Sequence, residues 1–302
     1  MEFPKTLIKR NGYIERIKPF MRKNIAKVLT GQRRVGKSFL LYQLMDQLLV
    51  EEPDANIIYI NFEDFAFSHI QTAEDMHAYI MSKFRKEKYN YIFVDEIQEI
   101  VNFERVIRSL LLNENNDIYI TGSNAKMLSG ELATYLSGRY IEFSVYSLSY
   151  LEFLAFHKLE NNNESLYLYS RYGGLPYLIN LPLKDETVNE YLKSVYSTIV
   201  FRDVVSRYNL RNSSFLEKLV QFLSENIGNL FSAKNISDYL KSQHSTISVN
   251  QIQNYTEYLN NAFLIHRVGR YDLIGKRLFE IGEKYYFENM GLRNIVIGYR
   301  IT

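Results

Sequence analysis

At 302 residues, with 46% hydrophobic and 23% charged side chains, the chain is long enough for two cores and too apolar to be disordered. It contains no cysteine, which excludes disulfide frameworks, thiolate nucleophiles and cysteine zinc sites. Its net charge of +2 commits the whole molecule to neither nucleic acid nor an anionic membrane.

No apolar run reaches the roughly 20 residues that span a bilayer, and Met1-Glu2-Phe3-Pro4-Lys5 lacks the apolar stretch of a signal peptide. A cytoplasmic protein with no membrane partner is expected. Basic charge gathers early. Residues 1–50 carry eleven Lys and Arg against three acids, and residues 51–150 carry eight against sixteen. An anionic ligand is therefore expected near the start.

Along the first half, β-rich runs at Ile25–Thr30, Ile57–Phe62, Tyr91–Val94, Ile118–Thr121 and Tyr140–Phe143 alternate with amphipathic stretches. The clearest of those stretches places Leu41, Leu44, Met45 and Leu48 on one helical face. This alternation predicts an α/β fold with a five-stranded, doubly wound parallel sheet. Tyr146–Ser170 reads as a helix ending in the Asn161-Asn162-Asn163 loop, Arg171-Tyr172-Gly173-Gly174-Leu175-Pro176 as a break, and Asn189–Tyr208 as a helical connector. From Asn212 three short helices follow, carried by Phe215, Leu219, Phe222 and Leu223, by Ile236, Tyr239 and Leu240, and by Ile252, Tyr255 and Leu259. Ser248 and Gln251 fit a capping box at the start of the third. Phe263–Val268 and Arg277–Ile281 read as strands around a hairpin at Asp272–Lys276, so residues 212–302 look like a winged helix.

Gly31-Gln32-Arg33-Arg34-Val35-Gly36-Lys37-Ser38 is a complete G-x-x-x-x-G-K-S between a predicted strand and a predicted helix, which Phe39 continues. Glycines let such a loop turn its N–H groups around phosphate oxygens, the helix N-terminus adds positive potential, Lys37 reaches the terminal phosphates, and Ser38 is expected to ligate Mg²⁺. A phosphate-binding P-loop is predicted for Gly31 to Phe39. Tyr91-Ile92-Phe93-Val94 leads into Asp95 and Glu96 at a strand end. Asp95 is expected to hold the Mg²⁺ shell and Glu96 to orient or deprotonate the attacking water. Two adjacent acids after a P-loop favour hydrolysis over binding alone. No N-K-x-D guanine-reading sequence occurs, so ATP is expected.

Thr121-Gly122-Ser123-Asn124 ends the next run in small polar residues. Ser123 or Asn124 would meet the γ-phosphate or the water if this strand lies between the first and third, although the same residue types also make caps and turns. Arg139, just before the fifth strand, is a candidate to stabilise transition-state charge from its own or a neighbouring subunit, or else a solvated surface charge. Arg171 is its rival.

Together with Leu136-Ser137-Gly138-Arg139-Tyr140 and Gly173-Gly174-Leu175-Pro176, the segments Gly31–Ser38, Asp95-Glu96-Ile97-Gln98 and Thr121–Asn124 resemble the motif series of AAA+-superfamily ATPases common in bacteria and archaea. The resemblance covers essentially the whole chain. It implies an additional-strand P-loop sheet of order 5-1-4-3-2, with Asp95, Glu96 and Ser123 or Asn124 in Walker B and first-sensor roles. It also implies that Lys284-Tyr285-Tyr286-Phe287 and Gly291-Leu292-Arg293-Asn294 join a winged-helix region to a nuclease-like domain. The chain stops at Thr302 and holds no D…E-x-K core, so no nuclease activity is expected of it.

The expected organisation is thus a P-loop ATPase domain at residues 1–145, a helical connector or lid at 146–211, and a winged-helix-like domain at 212–302. The third C-terminal helix offers Gln251, Gln253, Asn254 and Asn260 but no Lys or Arg, while Arg267, Arg270, Lys276 and Arg277 lie in or near the wing. That composition leaves a DNA or a protein partner open. Histidines 69, 77, 157, 244 and 266 show no paired ligand spacing, so no catalytic metal beyond Mg²⁺ is expected. The expected function is an ATP-hydrolysing AAA+-like switch that moves its winged-helix module, with a homo-oligomer as the family analogy. The alternative is a DNA- or protein-binding regulator with a non-hydrolysing nucleotide site. A small-molecule phosphotransferase would need an acceptor pocket that the sequence does not show.

Overall fold

A computed structural model describes residues 7–125, 135–136, 138–244, 246–269 and 282–298. The chain forms two compact units. One runs to Gly31 and resumes from Val35 to Tyr146; the other joins Gln32–Arg34 to the chain from Ser147 onward.

The first unit opens with helix α1 (Asn11–Ile17) and holds five parallel strands, β1 (Ala26–Thr30), β2 (Asn56–Asn61), β3 (Asn90–Asp95), β4 (Asn116–Gly122) and β5 (Tyr140–Ser144). Their order is β2-β3-β4-β1-β5, which is 5-1-4-3-2 from the other edge. β1, β3 and β4 are buried at every residue, as central strands covered on both faces must be, whereas edge strand β2 alternates. Helices α2 (Lys37–Glu51), α3 (Ala73–Ser82) and α4 (Phe103–Leu110) link the strands. Every second residue of a strand points to one face, so Val28, Ile60, Val94 and Ile120 meet Met76 and Ile80 of α3 and Val106 and Ile107 of α4 in one core. α3 starts where a full capping box predicts: Thr72 accepts from the Asp75 N–H and Asp75 reaches back.

In the second unit the 146–170 stretch is two helices rather than one, α5 (Tyr150–His157) and α6 (Asn163–Tyr172). Lys158 ends α5 in a left-handed conformation, and the Asn162 side chain caps α6. The connector begins earlier than its apolar pattern suggests, as α7 (Asp185–Ser197), and runs on as a π-helix over Thr198–Ser206. Next come α8 (Ser213–Glu225), strand β6 (Leu230–Phe231), α9 (Ala233–Ser242) and α10 (Val249–Asn261). Strands β7 (Ile265–Val268) and β8 (Glu283–Phe287) complete an antiparallel sheet of order β6-β8-β7, and α11 (Met290–Ile297) follows. The strand expected at Arg277–Ile281 and its loop lie outside the described residues; β7 pairs with β8, from Ile265 opposite Phe287 to Val268 opposite Lys284. Two of the sequence motifs make one joint here. A Cβ on Gly291 would fall 2.0 Å from the Tyr172 carbonyl oxygen, and Asn294 donates to the carbonyls of Ser170 and Arg171 at 2.9 Å. Among the described residues no helix is long and apolar enough to cross a membrane.

A charge lies inside the first unit. Lys27 and Asp117, both fully buried, form an ion pair, and Asp117 also accepts from the Tyr119 hydroxyl at 2.7 Å and the Arg22 N–H at 2.8 Å. Burial lowers the Lys27 pKa, and Asp117 opposes that shift. Removing one partner strands the other in the core, so Lys27→Met should cost about 3–5 kcal/mol in denaturant unfolding. Lys27→Met combined with Asp117→Leu should recover most of the loss.

Candidate nucleotide site

Strands β1, β3 and β4 end at the same edge of the sheet, since Thr30 pairs with Gly122 and Val94 with Ile120. Ligands of open parallel sheets sit at this carboxyl edge. The loop from β1 to α2 lies there. Gly31 has φ 149°, and a Cβ on it would come 2.0 Å from the Val145 carbonyl oxygen, so only glycine lets the loop pass. The buried Lys37 ammonium donates to the Gly31 carbonyl at 3.0 Å and stands 3.8 Å from the Glu96 carboxylate.

Asp95, 1% exposed, takes hydrogen bonds from Thr121 Oγ1 and from the Ser38 side chain. Burial pushes its carboxyl above the usual range while those hydrogen bonds and Lys37 pull it back. A bound cation would favour the ionised form and reverse the direction. Glu96 turns out of β3 through the left-handed region at φ 55°. Its N–H donates to Thr121 Oγ1 at 2.9 Å, and its carboxylate accepts from Ser123 Oγ at 3.0 Å and from Gln98 Nε2. Asn124 is buried beside Ser123.

Lys37, Ser38, Asp95, Glu96 and Ser123 are thus brought together. The remaining loop side chains turn elsewhere. Val35 is fully buried, Phe39 is 46% exposed, Gln32 Nε2 donates to the Phe263 carbonyl at 2.9 Å, and Arg33 holds Asp203 with two hydrogen bonds of 3.0 Å. Gln32, Arg33 and Val35 can therefore offer a ligand only their main chain. Arg139 is not brought to the loop of its own chain. It precedes Tyr140, which pairs with Ala26 at the opposite end of β1, roughly 13 Å of strand away. It lies beside Arg108, Leu112 and Tyr135 instead. Arg171 is held by Asp185, through Nε at 2.7 Å and a second guanidinium nitrogen.

Thr121 and Gln98 stand inside motifs that the sequence displays, but their roles need the strand pairing. Arg10 has a fainter signal, the early excess of basic residues. It is 4% exposed, its Nη1 donates to the carbonyls of Val35 at 3.1 Å and Tyr146 at 3.0 Å, and its N–H donates to Gln43 Oε1. The buried guanidinium thereby ties the loop to the chain just after β5, and the Arg10 main chain ties it to α2.

Residues 23–154 match the family described as AAA domain, and residues 163–300 match one described as a domain of unknown function. An "Uncharacterized protein" of Haemophilus influenzae is 36% identical over 301 residues, covering 97% of this chain and 74% of its own length. An uncharacterized protein of Methanocaldococcus jannaschii is 32% identical over 257 residues, covering 80% of this chain; the chain spans 56% of that relative. Among solved structures, the Aeropyrum pernix ORC1 protein in complex with DNA is similar at TM-score 0.41 and 12% identity, covering 97% of this chain and 93% of that one. So distant a likeness carries no function across.

The geometry around Arg10 predicts a local effect. Arg10→Met should speed amide hydrogen exchange of residues 31–38 by about tenfold or more, the loss expected when a charged hydrogen-bond donor is removed. Amides of β3 and β4 should stay unchanged, as read by exchange mass spectrometry.

Proposed function

The chain belongs to the same family as the Haemophilus influenzae protein and carries an AAA domain at residues 23–154, and from that premise we propose that it binds and hydrolyses ATP as a molecular switch. One observation carries the proposal: at the carboxyl edge of the sheet a buried ammonium, a buried carboxylate and a second carboxylate held by Ser123 stand around one glycine-turned loop. Ser38 and Asp95 suit Mg²⁺, since a hydroxyl and a single carboxylate, already hydrogen-bonded, are hard oxygen ligands that leave room for waters and phosphate. When bound, Mg²⁺ supplies neutralisation of phosphate charge, with those two residues as its protein oxygens.

The chain's own residues do the rest. N–H groups of residues 31–38 grip the phosphates, and the Lys37 ammonium exchanges the Gly31 carbonyl for phosphate oxygen. Glu96 orients the water and accepts its proton, while Ser123 and Gln98 keep that carboxylate in one rotamer. Asn124 is the remaining side chain to sense the γ-phosphate. Arg139, far from its own loop, serves only if a second copy presents it, which makes a homo-oligomer part of the proposal.

The C-terminal module has the element order of a winged helix, with α8, β6, α9 and α10 followed by β7 and β8. Arg267 faces Glu257 at 3.6 Å and Glu283 at 3.7 Å. Its charge is thus balanced, which favours a protein partner over a DNA backbone at this residue; Arg270, Lys276 and Arg277 lie outside the described residues. The switch acts by changing how that module is held when ATP is spent.

Lys37→Ala should abolish Mg·ATP binding in calorimetry. Glu96→Gln should keep binding and lower phosphate release by about 10²–10⁴-fold; unchanged turnover would remove Glu96 from its role. Nucleic acid added to the turnover assay should leave the rate unaltered if the C-terminal partner is a protein.

A further inference from the structure

Within the second unit, a recess of about 290 Å³ is lined by Arg33, Arg34, Tyr177, Tyr191, Ser194 and Thr198. ATP held by the main chain of the loop leaves Arg34, Tyr177 and Tyr191 without a part in its binding.

Arg33 is neutralised by Asp203, both buried. Arg34 has no ion pair or hydrogen bond among the described residues, is exposed, and is held at φ 70°, a left-handed conformation that a residue with a Cβ adopts only when its surroundings impose it. The Tyr191 hydroxyl is buried and has no hydrogen-bond partner among the described residues. Buried hydroxyls are nearly always satisfied, so an orphan that shares a recess with an unpaired cation marks a place for a polar, anionic ligand. The Tyr177 ring packs on that of Tyr191 with centroids 5.2 Å apart and remains 48% exposed, which leaves a flat face open. Ser194 adds a hydroxyl on α7, and Thr198, one turn on, adds one that donates to the Ser194 carbonyl at 2.9 Å and is left to accept.

A fitting ligand brings negative charge for Arg34, an acceptor for the Tyr191 hydroxyl and a flat ring for Tyr177, in a volume larger than one phosphate ion requires. These are the parts of a nucleotide. We infer that the recess binds a nucleoside monophosphate unit, distinct from the ATP of the phosphate loop, with its phosphate at Arg34 and Tyr191 and its base against Tyr177. The unit comes either as a free mononucleotide or as one residue of a single-stranded nucleic acid.

The test uses the 302-residue chain carrying Lys37→Ala, in which the loop site is disabled. Fluorescence anisotropy with a labelled ten-residue oligothymidylate is the first arm, and calorimetry with thymidine monophosphate and adenosine monophosphate is the second. Binding in the first arm alone names a nucleic-acid strand as the source, and binding in the second names a free nucleotide. In whichever arm binds, Arg34→Glu and Tyr177→Ala should each weaken affinity by about tenfold or more, and the conservative Tyr191→Phe should do so without altering the unfolding midpoint. Absence of binding in both arms overturns the inference, as does affinity unchanged by Arg34→Glu or Tyr177→Ala. Wild-type protein that binds Mg·ATP while the Lys37→Ala protein binds no probe refutes the recess alone; the reverse result refutes the loop and spares the recess.

Discussion

The parallel pairing of β1 with β4 and of β4 with β3 is the constraint on which the site depends. It aligns three strand ends, so that the turn after Thr30, the acids at 95 and 96 and the polar residues after Gly122 arrive at one edge although 26 to 91 residues of chain separate them. Main-chain ladders allow little slip, because a shift of one residue would turn every buried side chain to the opposite face. Thr121 shows the benefit. From the end of β4 its single hydroxyl donates to Asp95 and accepts from the Glu96 N–H, joining the last residue of β3 to the one that follows it.

Holding Lys37, Asp95 and Glu96 in a buried place is costly unless each charge is paired and hydrogen-bonded. The fold meets this with neighbours that are themselves fixed: Lys37 on the Gly31 carbonyl, Asp95 on Ser38 and Thr121, Glu96 on Ser123 and Gln98. Under the proposed function the ligand brings both negative phosphate and a cation, and the contacts of Lys37 and Asp95 are the kind such a ligand can replace.

The motifs of the sequence divide by what they do. Those at 31–38, 95–98 and 121–124 build the charged edge. Those at 171–176 and 291–294 are packing devices: the first ends α6, the second starts α11, and their backbones approach within the reach of a single Cβ. Glu288 and Asn289 reinforce the second of these, accepting from Ser147 at 2.6 and 2.7 Å and donating to its hydroxyl at 3.0 Å respectively. A string of motif residues is therefore not a list of catalytic residues.

Local pattern was enough for the alternating strands and helices of the first 145 residues, for the loop at Gly31–Ser38 and for the acids behind it, because periodicity and turn chemistry act between near neighbours. It was not enough where a left-handed residue decides the outcome, as at Lys158, where a helix that looks continuous divides. Nor does any local pattern say that Arg10 would reach the carbonyl of Val35, that Gln98 would hold Glu96, or that Arg139 would stand at the wrong end of β1 for its own loop. Those facts come from strand order and long-range packing. What chemistry the chain can hold is written in its residue types and spacing; which side chains share one place was decided by tertiary structure, since only pairing between distant segments determines the ends at which they meet.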